Sequence, residues 1–170
     1  MVLYYCSISF SFEAKNSMKG KIHSKSLSRY LAVQAIFNQS FGFDQKQIER
    51  EFVSQNDFKF HIDSDFDFDK KKFDKVFFKK IFNNVFEKED FICGLISNHL
   101  KKNWTFKRLP KVLQALLRVA ISEMITYPQT SMGIIITEYL MLAESFSIEK
   151  ENNFINAILD KIHQKLEIHE

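Results

Sequence analysis

Glycine and proline are scarce in this chain, which has 4 and 2 of them among 170 residues. A β-sandwich or barrel needs a turn every ten residues or so, and such turns depend on these residue types. Helices need far fewer turn formers. The scarcity therefore favours an all-α fold, and with 45% hydrophobic residues the chain can bury the core of a single domain.

Apolar residues recur at helical spacing along most of the chain. The spacing predicts helices at about 24–40, 45–54, 72–85, 91–100, 110–127, 131–144 and 149–164, the third and fourth being a pair or one bent helix. Ser24 or Ser26 is expected to cap the first helix. The fifth helix is apolar nearly all round, so we expect it to be the central and most buried one.

The composition changes near residue 20, where the helical pattern begins. We therefore expect a domain at 21–170 preceded by a flexible extension at 1–20. The first 17 residues are apolar without a basic residue before Lys15, so they lack the charged front of a secretory signal. Met18 is an alternative start. A second irregular stretch, residues 56–69, alternates Asp with Phe and is interpreted as a linker.

The sequence shows no signature of catalysis or of cofactor or metal binding. The four glycines are isolated, whereas a phosphate-binding loop clusters them, and the five histidines show no metal-ligand spacing. Asp63, Asp65, Asp67 and Asp69 imitate a calcium loop, but Phe68 stands where its sharp turn requires Gly. The sequence therefore predicts a protein without enzymatic activity, cofactor or metal.

Two further features concern location. Cys6 and Cys93 stand far apart, which argues against a disulfide framework and fits a reducing cytoplasm. No stretch approaches the roughly 20 apolar residues of a membrane span. A cytoplasmic protein that is not integral to a membrane is expected.

Basic residues are clustered although the formal net charge is only +3. Lys21, Lys25 and Arg29 are four apart, a spacing that places them on one helix face, where they could neutralise phosphates. An ordinary solvated helix face is the alternative interpretation. A second cluster surrounds Trp104 and either binds phosphates or interacts with helix dipoles; it comprises Lys101, Lys102, Lys107, Arg108 and Lys111.

Several short motifs occur in a fixed order along the chain. They are SRYLAVQAIF at 28–37, WTFKRL at 104–109, ALLRVA at 115–120 with Glu123, Glu138 with Ala143 and SF at 145–146, and FINAILDK at 154–161. Each motif is weak alone. Together they resemble the transcription antitermination factor NusB family, whose order and spacing they keep from about residue 21 to 166.

The resemblance implies an all-helical bundle of two small subdomains. It also implies an RNA-binding transcription antitermination factor, without catalysis, that pairs with the ribosomal protein NusE on boxA RNA in ribosomal RNA transcription and acts on the transcription elongation complex. Two alternatives remain open: a helical protein-interaction module, and a relative of the N-terminal domain of ribosomal RNA methyltransferases. The second would need a Gly-rich cofactor-binding region, which these 170 residues lack.

Site residues follow from the resemblance position by position. The expected RNA-binding residues are Lys21, Lys25, Arg29, Gln34, Phe154 and Asn156. The expected partner-binding residues are Leu113, Leu117, Arg118 and Glu138.

The chain also departs from the family pattern. Serines and a leucine thin the basic N-terminal stretch, so RNA affinity is expected to depend more on the partner. Leu113 stands where a partner-facing Glu is expected, and we therefore expect Leu113 to be exposed and to contribute an apolar contact.

Overall fold

The computed structural model describes residues 23–54 and 73–167, and every regular element in those two ranges is helical. The predicted all-α fold is confirmed. Seven α-helices are α1 Ser24–Gln39, α2 Gln45–Ser54, α3 Lys75–Glu87, α4 Glu89–His99, α5 Lys111–Thr126, α6 Met132–Ser145 and α7 Asn152–Glu167. Short 3-10 turns at Phe106–Arg108 and Glu149–Glu151 precede α5 and α7.

The helices form two groups that share α5. In the first group α1 packs against α2 and α3, and in the second α7 packs against α4 and α6. Helix α5 packs against α1 and α3 on one side and against α4, α6 and α7 on the other. This arrangement fits the expected bundle of two small helical subdomains.

Helix α5 is central, as predicted, but it shares that position with α1. Eleven residues are buried in each of these 16-residue helices. The sequence pattern understated the burial of α1 because four of its buried residues are polar, namely Ser28, Arg29, Gln34 and Asn38. Hydrophobic periodicity assigns such residues to solvent unless a partner for them is known.

Local signals fix several helix ends. Gly42 adopts a positive φ of 92° just after α1, a conformation that glycine tolerates and β-carbon-bearing residues avoid. Asp74 caps α3 by accepting a 2.9 Å hydrogen bond from the backbone N–H of Phe77. The expectation that Ser24 or Ser26 caps α1 is wrong. His23 occupies the cap position without a side-chain bond, and Ser26 donates instead to Glu138 Oε1 at 2.9 Å.

Some sequence expectations concern residues outside the two described ranges. These are the extension at 1–20, the linker at 56–69 and the calcium-like aspartates before Asp74. Among the residues that the structure does describe, no helix has the length and apolar character needed to cross a bilayer.

Leu113 corrects an expectation about the surface. Its side chain is only 1% exposed and belongs to the hydrophobic core, so the expectation that it is exposed is wrong. Leu117 on the same helix is also completely buried. Near its start α5 already faces packed helices, so an apolar residue there contributes to folding.

Because Leu113 is buried, replacing it by Ala is expected to lower the free energy of unfolding by about 2–5 kcal/mol through lost burial and a residual cavity. Val76 is 65% exposed, so Val76→Ala should change it by no more than about 0.5 kcal/mol. Urea denaturation followed by circular dichroism measures both. Equal effects of the two substitutions would place Leu113 outside the core.

Candidate nucleic-acid interface

The start of α1 carries an exposed cation. Lys25 lies in the first turn of the helix with its side chain in solvent. Its Nζ lies 5.4 Å from the ring centroid of Phe77 on α3, within range of a cation–π interaction. Because the Lys25 side chain lies in solvent, its charge is available to an anionic ligand.

Arg29 lies one turn further along α1 in a different environment. It is 4% exposed, and two parallel hydrogen bonds join it to Glu123 of α5. Its Nε donates to Glu123 Oε2 at 2.8 Å, and its Nη2 donates to Oε1 at 2.6 Å. This bidentate geometry matches the planar guanidinium to the carboxylate.

Helix α6 completes the network around Arg29. Glu138 Oε2 lies 3.2 Å from Arg29 Nη1. The Tyr139 hydroxyl donates to Glu123 Oε2 at 2.9 Å. The Arg29 network, defined here as Ser26, Arg29, Glu123, Glu138 and Tyr139, therefore connects α1, α5 and α6.

Burial and charge oppose each other at Arg29. Burial disfavours the charged guanidinium, but the hydrogen bonds and the negative charges of Glu123 and Glu138 together raise the pKa of Arg29 above its ordinary value. Burial, reinforced by the charge of Glu123, also raises the pKa of Tyr139 well above its ordinary value. At neutral pH Arg29 is therefore charged and Tyr139 retains the proton that it donates.

The basic stripe expected on α1, formed by Lys21, Lys25 and Arg29, is not found as a solvent-exposed row in the described residues. The prediction of a solvent-facing cation is wrong for Arg29, because its guanidinium is buried between two carboxylates. Gln34 is also buried, and RNA binding through it stays a prediction. Lys21 lies outside the described residues. Of the α1 candidates in the described part, Lys25 is left as an exposed RNA-binding candidate.

The remaining RNA-binding candidates lie on α7. Asn156 is exposed, and Phe154 is half-buried with its ring beside that of Trp104. The two ring centroids are 6.3 Å apart and the planes are tilted by 32°. Fifty positions separate Trp104 from Phe154 in the sequence. The sequence therefore indicated the basic residues around Trp104, but not its contact with Phe154.

The expected partner-binding residues are dispersed. Leu113 and Leu117 are buried and present no contact surface. Arg118 is mostly buried and forms a 2.7 Å ion pair with Glu89 of α4, whose side chain is half exposed. Glu138 is partly buried and bound to Arg29. Partner binding through Arg118 and Glu138 stays a prediction.

Comparison with known proteins gives a consistent result. A family model described as the NusB family matches residues 26–164. The transcription antitermination protein NusB of Rickettsia massiliae (strain Mtu5) is 33% identical over 147 residues, covering 84% of this chain and 92% of that protein. Its namesake from Rickettsia felis (strain ATCC VR-1525 / URRWXCal2) is 33% identical over 150 residues, covering 85% and 94%.

Solved structures share the fold. A structure of T. maritima NusB matches with a TM-score of 0.67 at 24% identity, covering 85% of this chain and 93% of that one. A crystal structure of the antitermination factors NusB and NusE in complex with dsRNA matches with a TM-score of 0.66 at 19% identity, covering 85% and 99%.

The different environments of Lys25 and Arg29 lead to a stability prediction. Arg29→Ala should lower the free energy of unfolding by about 3–5 kcal/mol, because it leaves Glu123 buried without its cation. Lys25→Ala should change it by no more than about 0.5 kcal/mol. Chemical denaturation of both variants measures the difference. A small effect of Arg29→Ala would mean that the guanidinium is not part of a buried network.

Proposed function

This chain belongs to the NusB family, and on that premise we propose that it is an RNA-binding transcription antitermination factor that pairs with the ribosomal protein NusE. The RNA in this proposal is boxA-like, the setting is ribosomal RNA transcription by the elongation complex in the cytoplasm, and the role is that of an adaptor without catalysis.

The observation that carries the proposal is the extent of the family match. It runs from residue 26 to residue 164 and so includes all seven helices except the first two residues of α1 and the last three of α7. The relatives from Rickettsia named above are antitermination proteins, and the chain covers more than nine tenths of each. A likeness of this extent supports a shared role for the whole domain.

The surface chemistry supports RNA as a ligand. Lys25 offers an exposed ammonium group at the start of α1, and Asn156 offers an exposed amide on α7. An ammonium suits phosphate oxygens, which give affinity without sequence information, whereas an amide can read base edges. Arg29 contributes indirectly, because its network holds the first turns of α1 against α5 and α6.

Pairing with NusE would compensate for the small number of basic residues at the start of α1. The first turn of α1 has one basic residue, Lys25, next to Ser24 and Ser26. A partner that contributes further phosphate and base contacts makes the second set of contacts effectively intramolecular. The complex should therefore bind RNA more tightly than this chain alone. A structure with NusB, NusE and RNA together exists for a protein of the same fold.

Labelled boxA-like RNA titrated with and without NusE tests the proposal. Saturable binding that tightens at least tenfold when NusE is added is the expected result, since multivalent binding multiplies affinity by about 100-fold or more when both sites engage. A folded protein that binds no RNA in either condition would contradict the proposal and favour the helical interaction module.

A matched pair of lysines tests the proposed contact at α1. Lys25 and Lys46 are both exposed second residues of a helix, in α1 and α2 respectively. Lys25→Glu should weaken RNA binding by about tenfold and reduce the slope of log affinity against log salt by about one, because a phosphate contact is lost. Lys46→Glu makes the same change of net charge away from the proposed contact and should have a much smaller effect.

The control separates a local contact from an effect of total charge. Both variants should have circular dichroism spectra and unfolding midpoints close to those of the unmodified protein, since both side chains are exposed. Equal losses of RNA affinity in the two variants would mean that α1 does not contact RNA.

A further inference from the structure

The connection between α4 and α5, residues 100–110, carries the most one-sided charge of the described chain. No Asp or Glu occurs between Asp90 and Glu123. Exposed cations flank this connection or lie in it, and they are Lys101, Lys102, Lys107, Arg108 and Lys111. None of the five forms an ion pair with another described residue within 4.0 Å. Their charges are available to an external anion.

Helix dipoles do not account for the whole cluster. Lys101 and Lys102 follow the C-terminus of α4, where a cation is stabilised. Lys107, Arg108 and Lys111 lie at or just before the N-terminus of α5, where the dipole disfavours positive charge. The helix dipoles therefore account for only part of the cluster, and the charges of Lys107, Arg108 and Lys111 remain available to a ligand.

Trp104 lies in this connection with half of its surface in solvent. It is 51% exposed, and its ring lies beside that of Phe154 on α7. Other large apolar side chains of the described residues are also exposed, among them Phe91 and Ile134. Trp104 differs because cations precede and follow it closely. A backbone hydrogen bond of 2.8 Å from Trp104 N to Lys101 O closes a turn over residues 101–104.

We propose that Trp104, next to Phe154 and among the cations of residues 101–111, is a stacking site for an unpaired base of single-stranded RNA. The indole provides a face for the base, and the cations bind the phosphates on either side of it. A duplex keeps its base faces stacked inside the helix, so it can use the cations but not the indole. The site should therefore prefer single strands. This inference rests on the proposed function, because it presumes that the ligand is RNA.

The chain reports on this site without a label, since Trp104 is its sole tryptophan. Stacking of a base on the indole should quench the intrinsic fluorescence in a saturable way when boxA-like single-stranded RNA is added. The same sequence in a duplex should quench it much less at equal occupancy, with occupancy measured by anisotropy of labelled RNA. In the complex with NusE, a complex made with Trp104→Phe provides the blank for the partner's emission.

Substitutions give a second readout. Trp104→Ala should weaken binding of single-stranded RNA by about tenfold, and Trp104→Phe should restore most of the loss because it keeps an aromatic face. Phe91→Ala serves as the control, because Phe91 is a similarly exposed aromatic on α4, next to the acidic Glu89 and Asp90. It should leave RNA affinity within about twofold, as expected for a residue outside the contact.

The outcomes separate this inference from the proposed function. If RNA binds and responds to Lys25→Glu, but the indole is not quenched and Trp104→Ala has no effect, the stacking site is wrong and the proposed function stands. If NusE alone quenches Trp104 and RNA does not, the surface belongs to the protein partner and the inference is wrong. If no RNA binds with or without NusE, both fail.

Discussion

The buried charge of Arg29 is the constraint on which the arrangement of the helices depends. A guanidinium that is 4% exposed is tolerated only when carboxylates compensate for its lost hydration, and here two of them come from two other helices. Glu123 fixes Arg29 against α5, and Glu138 fixes it against α6. The network thereby joins the first helical group to the second.

Burial distinguishes the residues that hold the helices in place from the exposed residues that are available to a ligand. Arg29 and Lys25 both contact the ring of Phe77, with Arg29 Cζ 5.2 Å and Lys25 Nζ 5.4 Å from its centroid. The buried cation positions the start of α1, and the exposed one is left for phosphate. A similar division holds in the second group, where Phe154 joins the packed helices and leaves Trp104 beside it half exposed. In both places an exposed group contacts a more buried aromatic ring, Lys25 against Phe77 and Trp104 against Phe154.

The sequence was sufficient to predict where the helices lie along the chain, but not which side chains they bury against one another. Apolar spacing predicted α2 at its observed bounds and identified α5 as central, because those helices follow the hydrophobic pattern closely. It did not separate Lys25 from Arg29. A spacing of four residues fixes the angle of a side chain about the helix axis, but not which other helix covers that turn. Leu113 was expected at the surface for a different reason, because the family resemblance places a partner-facing Glu at its position, and it is in the core. The neighbours of Trp104 were also beyond sequence reasoning, since Phe154 approaches it through tertiary packing.

In the proposed complex, single-stranded RNA contacts the half-exposed Trp104 and the half-buried Phe154 beside it. Ultraviolet cross-linking of single-stranded boxA-like RNA to the protein in the presence of NusE, with the linked residues identified by mass spectrometry, tests this most directly. Cross-links are expected within residues 100–111 and at Phe154. Cross-links confined to the opposite end of α4, around Phe91, or to α2 would contradict it.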